Sequence, residues 1–190
     1  MMHSLDRQRL EAMILYIADK CRSQPNFGKT KLFKLLFWSE MAARGMLGKP
    51  ISGWSYVKDQ FGPVPQDHDE ILLEMQEAGA IRIKSDFQVD EEPTRQVVLA
   101  CKRPSDELLT QAQRHLMDRV INEFWDEGAV QLSNKSHEDI PGWEGLVKGY
   151  EVPPQLLFLV PPGRQVDPEE AKRVIDDIMI RNADLMAALA

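Results

Sequence analysis

The chain has 190 residues, 43% of them hydrophobic and 28% charged, with a formal net charge of −7. That is the make-up of an ordinary folded globular protein with room for one substantial core, and it excludes extensive disorder. Uninterrupted apolar runs, such as Leu156 to Val160, fall far short of the ~20 residues that cross a bilayer. The amino terminus mixes charges with apolar residues, unlike a signal peptide. Cys21 and Cys101 form neither a disulfide framework nor a spaced zinc motif. The expectation is a cytoplasmic protein without metal or cofactor.

Leu5 to about Lys20 places Leu10, Met13, Ile14 and Ile17 at three- and four-residue spacing, which predicts an amphipathic helix. Pro25, Asn26 and Gly28 break it. A second helix, capped by Thr30 and running from about Leu32 to Arg44 before Gly45, is apolar nearly all round and is expected at the centre of the domain. Ile51 to Lys58 has strand composition, with Trp54 and Tyr56 two apart and so on one face. Gly62-Pro63-Val64-Pro65 reads as a turn whose last proline opens a third helix, with Asp67, Asp69 and Glu70 at its positive end.

That helix carries Ile71, Leu72, Met75 and Ala78 inward and stops at Gly79. Ala80 to Lys84 and Arg95 to Cys101 then predict a hairpin around a charged turn from about Asp86 to Pro93. A long helix is expected from Ser105 to Glu127, stopped by Gly128. After it come a proline-rich connection, Val152 to Pro168, and a terminal amphipathic helix led by Asp167-Pro168-Glu169-Glu170. The fold class read from this order is mainly α with a small β component, a winged-helix-like helical domain over residues 1–150 with a β-hairpin. The C-terminal helix of residues 151–190 is taken to pack on the same domain.

Charge is divided unevenly: residues 1–60 sum to +5 and residues 61–190 to −12. Lys29, Lys31, Lys34, Arg44, Lys49 and Lys58 are the candidate basic surface, although charge runs usually form a solvated face. The helix that a winged-helix protein would place in the DNA groove is here QDHDEILLEMQEA, with five carboxylates and no Lys or Arg, so phosphate repulsion opposes insertion. A DNA-binding transcriptional regulator is therefore the alternative reading, and not the preferred one.

Catalytic chemistry is sparse. Asp67, His68 and Asp69 are adjacent on a helix and point in different directions, so they cannot converge on one metal ion, and nothing joins them to His137, Glu138 and Asp139. Ser133 and Ser136 beside His137 lack the elbow motif and third orienting group of a hydrolase. Trp38, Trp54, Tyr56, Phe61, Trp125 and Trp143 could each serve a core or an interface. A face shared by Trp54 and Tyr56, next to the turn Gly62, Pro63, Val64 and Pro65 and rimmed by Lys31 and Lys34, is the expected partner-binding surface if the central helix does not cover it.

Four spaced motifs carry a resemblance: KLxKLLFxxE at Lys31 to Glu40, ISGxxY at Ile51 to Tyr56, GPVP at Gly62 to Pro65, and LSxxSHxxxxGW at Leu132 to Trp143. Over roughly Leu5 to Tyr150 the chain resembles the SocA-like antitoxin domain, also called the Panacea domain. The resemblance implies a non-enzymatic antitoxin of a bacterial or phage toxin–antitoxin pair. Such a protein binds its cognate toxin directly, covering it, trapping its fold or delivering it to a cellular protease. Leu132, Ser133, Ser136, His137, Gly142 and Trp143 are family hallmarks, and they are read here as structural.

Overall fold

A computed structural model of the chain describes residues 2–86 and 95–153. Its elements run α1 (Met2–Lys20), α2 (Lys29–Leu47), β1 (Tyr56–Asp59), β2 (Gly62–Pro65), α3 (His68–Glu77), β3 (Ile81–Asp86), β4 (Arg95–Ala100), α4 (Gln111–Glu123), α5 (Ala129–Glu138) and a 3₁₀ turn at Trp143–Gly145. Helices with two small antiparallel hairpins make the chain mainly α with a small β component. The terminal helix, all but the first two residues of the proline-rich connection, and nearly all of the charged turn lie outside the described residues.

The axis of the fold is α2. Every residue from Lys31 to Glu40 is buried, and the helix touches α1, α4, α5, β2 and β4. An apolar circumference needs neighbours on all sides, and α1 supplies one of them with Leu10, Met13, Ile14 and Ile17, all buried. The helix is longer than expected at both ends. Gly28, extended, precedes its first residue in place of Thr30, and it passes through Gly45 to Leu47. A lone glycine inside a helix costs only about 1 kcal/mol against alanine. The stop comes at Gly48, whose φ of 71° is left-handed and whose N–H bonds Arg44 O at 3.1 Å.

The first hairpin differs most from expectation. The strand β1 begins only at Tyr56, leaving Ile51 to Ser55 irregular, and GPVP is no turn but the fully buried strand β2. It pairs with β1 in the register Tyr56↔Pro65, Val57↔Val64, Lys58↔Pro63 and Asp59↔Gly62. Two prolines deprive β2 of donors, which suits an edge strand. On the other edge of β1, Lys58 N bonds Tyr150 O at 2.9 Å, Gly149 N bonds Lys58 O at 2.7 Å and Val152 N bonds Tyr56 O at 2.7 Å. Because Pro65 is used in the strand and Gln66 N still bonds Ser55 O at 2.9 Å, α3 starts only after Asp67, which is itself left-handed at φ 55°.

The second hairpin follows the expected pattern, with Ile81↔Ala100 through Asp86↔Arg95 in register, and β4 packs on α1 and α2. Beyond it, the helix expected from Ser105 to Glu127 is shorter, and a further helix, α5, follows it that the spacing did not predict. Thr110 and Gln113 form a reciprocal capping box that starts α4, five residues after Ser105, whose hydroxyl only accepts from Glu107 N at 3.3 Å. Two reciprocal bonds outweigh one lone serine. Gly128, expected as a stop, instead precedes α5, where the Gln131 side chain accepts its N–H at 2.7 Å.

Gly62 sits at φ 103°, and a Cβ there would fall on Ser136 Oγ and 2.7 Å from Lys34 Nζ. Gly62→Ala is therefore expected to cost about 3 kcal/mol from backbone strain and overpacking together. Urea denaturation measures this, and a change below about 1 kcal/mol would mean that the contact can relax.

Candidate functional site

Three of the side chains on the buried face of α2 are ionisable, and each is bound to main-chain groups of a different segment. Lys31, fully buried, donates to Trp125 O at 2.8 Å and Glu127 O at 2.6 Å, at the end of α4. Lys34, also fully buried, donates to Pro63 O at 3.0 Å in β2. Burial pushes its ammonium from the usual 10.5 down to about 7, against an opposing pull from Asp59. Glu40 accepts from Ile51 N at 2.7 Å and Ser52 N at 2.9 Å, and from the Ser52 hydroxyl. Burial raises its carboxyl pKa, while those hydrogen bonds hold it back.

The LSxxSH segment lies against the same hairpin. Leu132, Ser133 and Ser136 face inward on α5, and Ser136 Oγ donates to Ser133 O at 2.8 Å beside Gly62. His137 stacks on Trp143 with ring centroids 4.7 Å apart. Desolvation, with help from Lys34 and Lys58, lowers its pKa. Gly142 is left-handed and turns the chain into the 3₁₀ segment, whose carbonyls at Trp143 and Leu146 accept from Lys58 Nζ at 2.7 Å and 2.9 Å. These are contacts internal to the fold. Among the described residues no group of three or more His, Cys, Asp or Glu is arranged to hold a metal.

Lys31 and Lys34 are thus interior and form no charged rim. Tyr56 is buried as well, edge-on to Phe37 of α2 with centroids 5.7 Å apart, so the central helix does cover its face. Gly62, Pro63, Val64 and Pro65 are all buried. Of the expected partner-binding residues only Trp54 keeps a partly open side chain, fixed by its indole N–H on Gln66 O at 2.9 Å. Exposed apolar side chains among the described residues include Phe61, on the tip of the first hairpin, and, elsewhere, Met46, Leu73, Val130 and Val147.

Trp54 opens onto a cleft of about 90 Å³ bounded by Phe37, Glu40, Met41 and Arg44 of α2, by Gly53 to Tyr56, and by Glu151 and Val152. Drug-sized ligands need ~300 Å³ or more, so the cleft suits one side chain rather than a cofactor. The Tyr56 hydroxyl is buried without a hydrogen-bond partner among the described residues. Its pKa stands well above 10.0, through desolvation first and then Glu40.

With this geometry in place, the family model for the antitoxin SocA-like, Panacea domain matches residues 32–144. The chain belongs to that family. No curated protein and no solved structure matches it. Among the described residues no helix is long and apolar enough to cross a membrane.

Glu40→Ala would leave two buried N–H groups without an acceptor. It is expected to cost about 3 kcal/mol and to lower Tm by roughly 6–12 °C, with Glu40→Gln losing less because it keeps one acceptor oxygen; calorimetry on the three proteins checks the order. Lys34 carries a pH signature. The folded chain releases this proton at about 7 and the unfolded chain near 10.5, so between them the unfolded state binds more protons and the contribution of Lys34 to stability rises with pH. The stability of Lys34→Met relative to the parent should be greatest at or below about pH 7 and should fall toward about pH 10. Urea titrations across that range decide it, and a difference that does not vary with pH would show that the buried ammonium carries no penalty.

Proposed function

We propose that this protein is the antitoxin of a toxin–antitoxin pair and that it neutralises a co-encoded toxin by binding it directly, without catalysis. The observation that carries the reading is the family match over residues 32–144. The interior polar chemistry agrees with it: Lys31, Lys34, Glu40, Ser52 and Ser136 are engaged in holding the fold together. The toxin-contacting face we propose is that of Trp54 and the first hairpin, with Phe61 at its tip, since Lys31 and Lys34 are interior and Tyr56 is covered by α2 except where it lines the cleft beside Trp54. Whether the bound toxin is covered, trapped or passed to a protease is a separate question of mechanism.

The DNA-binding alternative is weakened by the placement of its cations. Lys31 and Lys34 are buried, Lys58 is turned onto carbonyls, and Lys29 pairs with Asp69 of α3 at 3.1 Å.

Co-expression with the product of the adjacent gene tests the reading. Growth inhibited by that product alone and restored by this chain, with a complex recovered by pull-down, is the expected result; an adjacent product that is neither toxic nor bound counts against it. Trp54→Ala, folded by circular dichroism, should weaken the complex by about tenfold or more. Gel-shift measurements across salt concentrations should show no specific duplex binding.

A further inference from the structure

The cleft beside Trp54 holds two polar groups that the fold leaves unused. The Tyr56 hydroxyl is buried and without a hydrogen-bond partner, although buried polar groups are nearly always paired. Arg44, which also lines the cleft, makes no hydrogen bond or ion pair through its guanidinium among the described residues. Its charge acts on Glu40 and Tyr56. Both unused groups are donors, and the guanidinium has no acceptor capacity at all. The acceptors nearby are already engaged: Glu40 by the Ile51–Ser52 main chain and Glu151 by the Ser55 hydroxyl at 3.0 Å. Phe37, Met41, Trp54 and Val152 give the remaining walls apolar surface.

We propose that this cleft is an anchor pocket for a protein partner, taking one apolar side chain of about leucine size together with an uncharged backbone carbonyl beside it, which accepts from Arg44 and, as the cleft opens around the occupant, from the buried Tyr56 Oη. The volume selects one side chain, the free donors select an acceptor oxygen, and the Glu151 carboxylate on the rim disfavours a second carboxylate. The occupant is a segment of the toxin; in that respect the inference rests on the antitoxin reading and adds to it the chemistry of the contact.

The test has two arms on the full chain. In the first, N-acetyl-leucine amide is titrated while the Trp54 indole N–H signal is followed by NMR, assigned by its loss in Trp54→Phe. The expected result is a saturable shift of that signal, weakened about tenfold in Tyr56→Phe and in Arg44→Gln, with N-acetyl-leucine, the carboxylate, binding less well. Tyr56→Phe should melt no lower than the parent, because it removes an unpaired buried hydroxyl, whereas a purely structural hydroxyl would lower the melting temperature when removed. In the second arm, a photo-reactive benzoylphenylalanine replaces Met41 in the co-expressed pair. Crosslinks to the adjacent gene's product support the proposal, and crosslinks to a second copy or to residues beyond 153 of the same chain overturn it. Absence of any shift with the amide, together with a complex unaffected by Tyr56→Phe and Arg44→Gln, also overturns it while leaving the antitoxin reading in place. If the parent neither rescues growth nor binds the adjacent product, the antitoxin reading fails, and with it the assignment of the toxin as occupant; the amide titration still decides whether the pocket takes this chemistry.

Discussion

The structure depends on a buried helix that spends its few charged side chains on the main chain of other segments. Along α2, Lys31 collects carbonyls at the end of α4, Lys34 a carbonyl of β2, and Glu40 two amides of the segment leading into β1. Burying a lone charge costs several kcal/mol, so such side chains persist only where they meet groups that would otherwise be buried and unpaired. Irregular segments packed on a helix have such groups, because they lack a ladder to satisfy them. The helix thus serves as the missing partner for two irregular stretches and for the short strand β2. Trp38, whose indole N–H donates to Asp139 at 3.0 Å, adds a fourth tie, to the end of α5.

The four sequence motifs turn out to be pieces of one arrangement. Glu40 closes KLxKLLFxxE and binds the Ile51 and Ser52 amides that open ISGxxY. Lys34, of the same first motif, binds Pro63 of GPVP. Gly62, the first residue of GPVP, lies against Ser136 of LSxxSH. His137 stacks on Trp143, and Lys58, between the second and third motifs, closes the far end on the Trp143 and Leu146 carbonyls. Residues about a hundred positions apart are thereby brought to one hairpin. The first hairpin is short and proline-containing, so it would be marginal alone; it is held by side chains from both ends of the domain.

Much of the helical framework was legible from sequence because it obeys periodicity: α1, the body of α2, α3 and the second hairpin all lie close to where spacing placed them. The misreadings share one cause, which is that local signals were trusted where tertiary partners decide. GPVP has the composition of a turn, yet Lys34 and β1 hold it as a strand. Ser105 is a good cap in isolation, but Thr110 and Gln113 cap each other. Lysine is seldom buried, so sequence alone puts Lys31 and Lys34 on a surface rim. The signal that could have corrected this was present: charges at positions 31, 34 and 40 of a helix otherwise apolar on every side have no solvent face to occupy. The cleft beside Trp54 was not legible, since its walls come from α2, the Gly53–Tyr56 segment and residues 151–152, and no local pattern links them.

The pairing of Gly149 to Val152 along β1 lies past the last residue of the family match at 144. A polypeptide ended at residue 144 would lose that strip of main chain from β1 and leave the hydrogen-bonding groups of β1 facing solvent, on a strand that carries Tyr56 and Val57. Bare strand edges recruit other chains. The useful boundary for a minimal soluble version is therefore set by sheet completion near Val152 rather than by where recognisable sequence ends, and shorter versions are expected to self-associate.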